Sequence, residues 1–214
     1  MSRIVETTVY QLEELSDRAK DAARAWYRDA SAYDDWHECV FEDFETICTI
    51  LGVRLKTRSV RLYGGGTRQK PRIWFSGFSS QGDGASFEGS YGFAKGATKA
   101  IRAHAPQDSE LHRIADALQA IQRRNFYQLC ADANQRGRYC HEYSMSITVE
   151  RESPNNQDMT VDAEDTLIEL FRDLARWLYR QLEREYEYQT SDAVIDEAIG
   201  ANDYSFTDSG RRVG

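Results

Sequence analysis

The central part of the chain, residues 52–106, differs in composition and in periodicity from the segments on either side of it. It holds ten of the fourteen glycines, ten basic residues and only two acidic residues. Several of its segments alternate apolar and polar residues, which is typical of β-strands, whereas the flanking segments repeat apolar residues at helical spacing. A chain of this kind can build a sheet from its centre and cover that sheet with helices from both ends.

Helices are expected on both flanks of this central part. The first two are bounded by a Ser16 N-cap and by Gly52, which follows the second helix as a C′ glycine. A third begins at Asp108 or Ser109, and its apolar stripe continues through Phe126. The predicted helices cover about 17–30, 35–51, 109–136 and 162–188, with a short one around 193–199.

Strands are expected at 4–9, at 53–58 with a bulge or a bend near Ser59, at 72–78, at 85–93 and at 138–150. Because a strand turns alternate side chains to opposite faces, the strand at 138–150 would place His141 on its apolar face. The element order lacks the crossover spacing of a doubly wound sheet. The sequence therefore predicts an α+β fold: one domain over 1–214, with an antiparallel sheet of about four to five strands packed with about four main helices.

The net charge of -8 is distributed unevenly along the chain. The central part is basic and both flanks are acidic, so two interpretations stay open. Basic strands can lie beside acidic helices and neutralise them, or a charged face can be offered to a partner. The candidate contact residues are acidic on the first two helices (Asp34, Asp35, Glu38, Glu42) and basic on the first central strand (Arg54, Lys56, Arg58).

A glycine-rich loop carries the candidate catalytic residues. Asp83 lies between two glycines, and Asp83 and Glu88 are the only acidic residues of the central part. Together with His141 they could serve a small hydrolase or a nucleotide-processing enzyme, provided that the strand of His141 lies beside the loop. The alternative is an Asx-type turn at the end of a strand, which Gly-Asp-Gly forms unaided.

The motifs of several other classes are missing from the sequence. The four cysteines form no C-x-x-C pair and the four histidines form no H-E-x-x-H motif, so neither a metal nor another cofactor is expected. No apolar run approaches the roughly 18 residues of a membrane span. The first residues lack an apolar signal core, so we expect a protein of the cytoplasm with reduced thiols.

Three segments carry a resemblance to a known class of proteins. They are residues 74–87, which include the glycine loop, the opening 9–20 and the end 202–210. They resemble small phage and prophage proteins that are often labelled as the antitoxin of a toxin–antitoxin stability system. The resemblance touches both ends and the centre of the chain. It implies an accessory protein of phage type that acts inside a bacterial cell, with an anti-defence role as an extension by analogy.

These observations favour a non-enzymatic binding protein. We expect it to neutralise a bacterial effector, either a toxin or an immune complex, by direct protein–protein contact through one of the two charged surfaces. The enzyme built on Asp83, Glu88 and His141 is the alternative. A weaker alternative is a single-strand nucleic-acid binder that uses the basic strand and Trp74, although an isoelectric point near 5.1 is unusual for that class. The sequence does not determine the oligomeric state.

Overall fold

The structure is a computed structural model, and it describes residues 8–31 and 35–213. Contacts divide the chain into two compact units, one of Met1–His37 with Arg184–Gly214 and one of Glu38–Glu183. The prediction that residues 1–214 form one domain therefore stays a prediction. The helices are α1 (Asp17–Ser31), α2 (Glu38–Leu51), α3 (Ala97–His104), α4 (Ser109–Arg124), α5 (Ala163–Gln189) and α6 (Asp192–Ala201).

The strands are short and they pair in antiparallel fashion. Four of them form the main sheet, in the spatial order β1, β6, β7, β8. The predicted α+β class with an antiparallel sheet is therefore confirmed. The strands are β1 (Val53–Leu55), β2 (Thr57–Arg61), β3 (Thr67–Pro71), β4 (Ile73–Phe75), β5 (Ala85–Phe87), β6 (Gly89–Tyr91), β7 (Leu129–Gln135), β8 (Met145–Arg151), β9 (Ser205–Phe206) and β10 (Arg212–Val213).

A three-way junction of strands organises the central part of the chain. The pairs β1–β6, β2–β3 and β4–β5 all end at Lys56, Arg72 and Glu88. At this point the backbone forms a closed ring. The N–H of Lys56 donates to Glu88 O (2.9 Å), that of Glu88 to Arg72 O (2.9 Å) and that of Arg72 to Lys56 O (2.7 Å). The ring satisfies the backbone groups that would otherwise lose their partners where the three pairs diverge.

The core of the 38–183 unit is aromatic. Phe44 on α2 contacts Phe87 on β5, with ring centroids 5.3 Å apart, and Trp177 on α5 at 6.3 Å. Phe171, also on α5, stacks on Phe87 at 5.8 Å. All four side chains are buried, so α5 packs against both the central strands and α2. Burial of each such side chain is worth about 2 kcal/mol.

The other unit has a smaller core, built from α1, α6, β9 and the segment before α1. Its buried residues are Leu12, Leu15, Ala19, Ala23, Ile195, Ile199 and Phe206. The Arg24 guanidinium forms a bidentate pair with the Asp196 carboxylate, at 2.7 and 2.6 Å. This pair lowers the pKa of Asp196 and joins α1 to α6. The strand expected at 4–9 lies mostly outside the described residues.

The third predicted helix is too long, and this prediction was wrong. α4 ends at Arg124, and residues 129–135 form strand β7 instead of continuing the helix. Leu129, Ala131 and Ala133 of β7 are buried, and the strand pairs with β8 along its whole length. Leu129 and Cys130 fit the helical stripe of α4, but the pairing and burial available in the sheet override that weak local preference.

Two further strand predictions need correction. The strand expected at 138–150 begins only at Met145, because its partner β7 ends at the paired Gln135. Residues 142–144 form a 3₁₀ turn, so His141 does not lie on the apolar face of a strand. The bend expected near Ser59 occurs at Lys56. β1 ends just before Lys56 and pairs with β6, whereas β2 begins just after it and pairs with β3.

Candidate functional site

The carboxylate of Asp83 closes its own turn. Its Oδ2 accepts hydrogen bonds from the backbone N–H groups of Ser79 (3.0 Å) and Ser80 (2.7 Å). The Asp83 N–H donates in return to Ser80 O (3.0 Å). These bonds run back to residues three and four positions earlier, whereas in the expected Asx-type turn the side chain bonds to the backbone two residues ahead. The carboxylate therefore makes a local structural contact, but one of a different kind from the Asx-type turn. The loop is also held at α5, where the Tyr179 hydroxyl donates to Gly77 O (2.9 Å).

Glu88 is buried at the three-way junction rather than exposed in the loop. It is 7% exposed, its Oε2 accepts from the Arg72 guanidinium (2.8 Å) and its Oε1 accepts from Gln135 N (3.3 Å). Asp83 and Glu88 lie at opposite ends of β5, so they do not form a carboxylate pair. Glu88 therefore stabilises the junction, as a buried carboxylate with a charged partner can.

His141 lies beside the glycine loop. A Cβ added at Gly84 would lie 2.6 Å from the His141 Cβ and 2.8 Å from its Cα, so only glycine fits at this contact. The His141 Nδ1 accepts from the Tyr143 N–H (3.1 Å) and caps the 3₁₀ turn. Among the described residues, no hydrogen bond or ion pair joins His141 to Asp83. The three candidate catalytic residues therefore serve three separate structural contacts.

The predicted acidic surface is partly neutralised within the unit. Asp34 lies outside the described residues, and Asp35 and Glu42 are exposed. The Glu38 carboxylate accepts from Lys70 Nζ (2.9 Å) and lies 4.0 Å from the Arg68 guanidinium. The interpretation that basic strands lie beside acidic helices therefore applies at this position.

The three predicted basic contact residues, Arg54, Lys56 and Arg58, differ in their contacts. Lys56 Nζ donates to Asp132 Oδ1 (2.8 Å) and to Asn134 Oδ1 (2.7 Å), and this contact lowers the pKa of Asp132. Arg54 and Arg58 are exposed, and neither forms an ion pair within the part of the chain that the structure describes. Lys56 therefore belongs to the junction, and only the two arginines are available to a partner.

A surface that the sequence did not predict lies after α4. Phe126 and Tyr127 both have left-handed backbone conformations, with φ of 56° and 62°. This conformation is costly for a residue with a side chain, by roughly 1 to 2 kcal/mol for each. We call Asn125–Gln128 the aromatic turn. Two consecutive aromatic residues in this region of φ need strong constraints around them.

Two buried amide side chains supply those constraints. Gln122 and Asn125 are both fully buried. The Gln122 amide donates to Leu129 O (2.7 Å) and accepts from Leu129 N–H (3.1 Å), as a neighbouring strand would. The Asn125 amide accepts from Thr160 N–H (2.9 Å) and donates to Ile121 O (3.0 Å). The turn is therefore fixed from both sides.

The rings of the aromatic turn are directed outwards. Phe126 is 70% exposed and Tyr127 is 45% exposed, and the Tyr127 ring lies 4.4 Å from that of Phe93, which is 37% exposed. The Arg151 guanidinium lies 5.4 Å above the Phe126 ring. Arg123 is exposed and forms no ion pair with any described residue. The result is an exposed aromatic surface with arginines beside it.

A sequence signal for the aromatic turn does exist. The apolar stripe of α4 places residues at 111, 114, 118 and 121, and the next position of the stripe is the polar Asn125. Asparagine often follows the last residue of a helix, and Asn125 is the C-cap of α4, with φ of -108°. The break of the stripe at Asn125, followed by two aromatic residues, indicates a helix end with exposed rings.

The described residues show neither a metal site nor a membrane-spanning helix. Within residues 8–31 and 35–213, no group of three histidine, cysteine or acidic side chains could hold a metal ion. None of the described helices combines the length and the apolar character needed to cross a bilayer.

Comparison with known proteins identifies one family. No curated protein and no solved structure matches the chain. A family model described as a domain of unknown function, DUF8835, matches residues 36–192, which include the strand junction, the glycine loop and the aromatic turn. The chain belongs to the DUF8835 family.

Proposed function

We propose that this protein is a binding protein of phage type that neutralises a bacterial effector, a toxin or an immune complex, by direct protein–protein contact in the host cytoplasm. The observation that carries the proposal is the aromatic turn, in which Phe126 and Tyr127 are held in costly conformations and left exposed. Strain of this kind concentrates at functional sites, where the surrounding structure maintains it.

The composition of this surface suits a protein partner. Aromatic residues and arginine are enriched at the centres of protein interfaces and account for most of their binding free energy. Phe126 and Tyr127 can enter an apolar pocket of the partner, while Arg123 contacts acidic or carbonyl groups at its rim. The Arg151 guanidinium, which is hydrogen-bonded to Gln128, Gln157 and Asp158, supports the Phe126 ring. The resemblance to phage accessory proteins supports a bacterial effector as that partner.

The contacts of the candidate catalytic residues favour binding over hydrolysis. Asp83 caps its turn and Glu88 is paired with Arg72, so neither carboxylate is directed at a common substrate position. We therefore expect Asp83→Asn to leave effector neutralisation intact, because an amide oxygen can still accept from Ser79 N–H. Loss of activity in a folded Asp83→Asn protein would instead support the enzyme alternative.

The direct test is a pull-down of the tagged protein from a bacterial lysate, with and without nuclease, followed by mass spectrometry. We expect a stoichiometric protein partner that survives nuclease treatment. The double variant Phe126→Ala/Tyr127→Ala should weaken its binding at least about 30-fold, as loss of an interface hot spot of 2 kcal/mol does.

Tyr188→Ala is the matched control, because Tyr188 is another exposed aromatic residue, on α5. It should retain the partner. Retention by the double variant, or loss of the partner from the unaltered protein on nuclease treatment, would overturn the proposal. Circular dichroism of each variant separates loss of binding from loss of fold.

A further inference from the structure

The hairpin of β2 and β3, Thr57–Pro71, is an exposed two-stranded ribbon, which we call the basic ribbon. Seven of its ten strand residues and all five residues of its tip, 62–66, are exposed. The register runs from Thr57 opposite Pro71 to Arg61 opposite Thr67. An isolated two-stranded hairpin is at best marginally stable in water. The three-way junction at its base therefore has to support it.

All charged residues of the basic ribbon are positive. It carries Arg58, Arg61, Arg68 and Lys70, and no acidic residue lies between Thr57 and Pro71. Because side chains alternate along a strand, Arg58, Arg68 and Lys70 share one face of the ribbon and Arg61 lies on the other. Positive charge is thus available on both faces.

The arrangement of these charges is unfavourable for the hairpin itself. Arg58 lies directly opposite Lys70, and like charges in that position destabilise a strand pair. Glu38 neutralises only the Lys70 side of this pair, at 2.9 Å. Arg58 and Arg61 form no ion pair with any residue in the described part of the chain. Stability of the fold gives no reason to place Arg58 opposite Lys70, whereas binding of an anionic ligand does.

We propose that the basic ribbon binds double-stranded nucleic acid along a groove. A major groove about 12 Å wide admits a two-stranded β-ribbon, and phosphates line both of its walls. Guanidinium groups form bidentate hydrogen bonds with phosphate oxygens. This activity goes beyond the proposed effector binding and uses a different surface.

Two observations favour a duplex over the other anionic partners. Single-strand binding depends on rows of aromatic side chains that stack on successive bases. The ribbon has one aromatic residue, Tyr63 at the tip, and Trp74 belongs to β4 outside the ribbon. An acidic protein surface would need an apolar interface core, and the ribbon offers only the half-buried Val60 on its strands and the exposed Leu62 and Tyr63 at its tip, which are too few and too scattered to form one.

The net negative charge of the whole chain does not prevent this binding. Charges further away than the screening length of about 8 Å at physiological salt contribute little. A phosphate beside Arg58 or Arg61 therefore experiences mainly the local positive charge of the ribbon. We expect sequence-independent binding with a Kd on the order of 1 to 100 µM at physiological salt.

The test is a fluorescence anisotropy titration of the full chain against a labelled 20-base-pair DNA duplex, with the single strand of the same length as competitor, over a series of salt concentrations. We expect the duplex to bind more tightly than the single strand, and log K to fall linearly with log salt. Arg58→Gln/Arg61→Gln should reduce the size of that slope by about 2, since each phosphate contact contributes about 0.9.

Two control variants make the result specific to the basic ribbon. Arg58→Lys/Arg61→Lys keeps both charges and should keep the slope. Lys95→Gln/Lys99→Gln removes two exposed charges elsewhere in the unit and should also keep it. Absence of duplex binding at low salt, preference for the single strand, or an unchanged slope in Arg58→Gln/Arg61→Gln would overturn the proposal.

The proposals for the two surfaces can fail separately. Phe126→Ala/Tyr127→Ala should leave duplex binding unchanged, and Arg58→Gln/Arg61→Gln should leave a nuclease-resistant protein partner bound. A nuclease-resistant partner that is lost with Arg58→Gln/Arg61→Gln would assign the basic ribbon to an acidic protein surface and overturn its assignment to nucleic acid.

Discussion

Replacing the aromatic turn residues by glycine and by alanine measures the strain that the turn stores. Phe126→Gly and Phe126→Ala both remove the ring, so the loss of its contacts lowers the free energy of unfolding equally in the two variants. The difference that is left belongs to the backbone, which has φ of 56° at this residue. The same comparison applies at Tyr127, where φ is 62°. Glycine adopts this region as readily as negative φ, whereas alanine does not.

The expected magnitude follows from two opposing contributions. The left-handed conformation costs a residue with a Cβ roughly 1 to 2 kcal/mol, which glycine recovers. Glycine loses more conformational entropy on folding, which costs roughly 0.5 to 1 kcal/mol relative to alanine. Phe126→Gly should therefore be more stable than Phe126→Ala by about 1 kcal/mol, and Tyr127→Gly should exceed Tyr127→Ala by a similar amount.

Equilibrium unfolding in urea, followed by tryptophan fluorescence, measures these differences from the midpoint at constant slope. Ala120→Gly is the internal reference, because Ala120 is exposed on α4 with ordinary helical geometry. There glycine should cost about 1 kcal/mol. If alanine is also the more stable residue at 126 and at 127, the backbone is unstrained and the argument from strain to function fails.

Three other outcomes follow from the buried contacts. Burial raises the pKa of Tyr91 to about 12 from 10.0, so its hydroxyl ionises first in the unfolded chain. Stability should be complete below about pH 10 and fall by up to about 3 kcal/mol as the pH rises to about 12, and Tyr91→Phe should flatten this part of the urea-midpoint profile. Gly84→Ala should cost about 1 to 3 kcal/mol, because the added methyl group meets the backbone of the neighbouring histidine. Gly64→Ala, which has nothing within 4 Å, should change the thermal midpoint little, and equal midpoints for the two variants would contradict the contact. Glu88→Gln should cost about 1 to 3 kcal/mol by weakening a buried charged hydrogen bond, whereas Glu42→Gln on the surface should cost less than about 0.5 kcal/mol. Equal urea midpoints for the two glutamine variants would show that Glu88 does not stabilise the junction.

Most of the helices could be predicted from the sequence because their stripes of apolar residues are long and regular. α3 (Ala97–His104) was not predicted, because it is short and Ile101 is its one buried residue. α5 was expected at about 162–188 and extends over Ala163–Gln189, and α6 was expected around 193–199 and covers Asp192–Ala201. Segment β7 was not predicted because Phe126, Leu129 and Cys130 continue the helical spacing of α4, although Leu129, Ala131 and Ala133 also alternate as in a strand. Its conformation depends on pairing with β8, which is distant in sequence, and local propensity does not contain that information.

The contacts of the candidate residues could likewise be predicted only where the partners are close in sequence. Asp83 lies in a local turn, as Gly-Asp-Gly suggests, because its side chain bonds to backbone groups no more than four residues away, although the turn is not of the Asx type. The partners of Glu88 and Lys56 lie on other strands, Gln135 and Asp132 among them. Neither pairing could be read from spacing, because it depends on the register of the sheet.

The sequence by itself determined the α+β class, most of the helix positions, the basic character of the centre and the turn at Asp83, since all of these depend on composition or on neighbours a few residues away. The tertiary structure alone decided which charges remain available to a partner. It joined Lys56, Arg72 and Glu88 at one junction, left Arg58 and Arg61 on an exposed ribbon, and held two aromatic rings outwards through amides that are buried. These outcomes depend on contacts between distant segments, whose free energies are realised only when the strands and helices have come together.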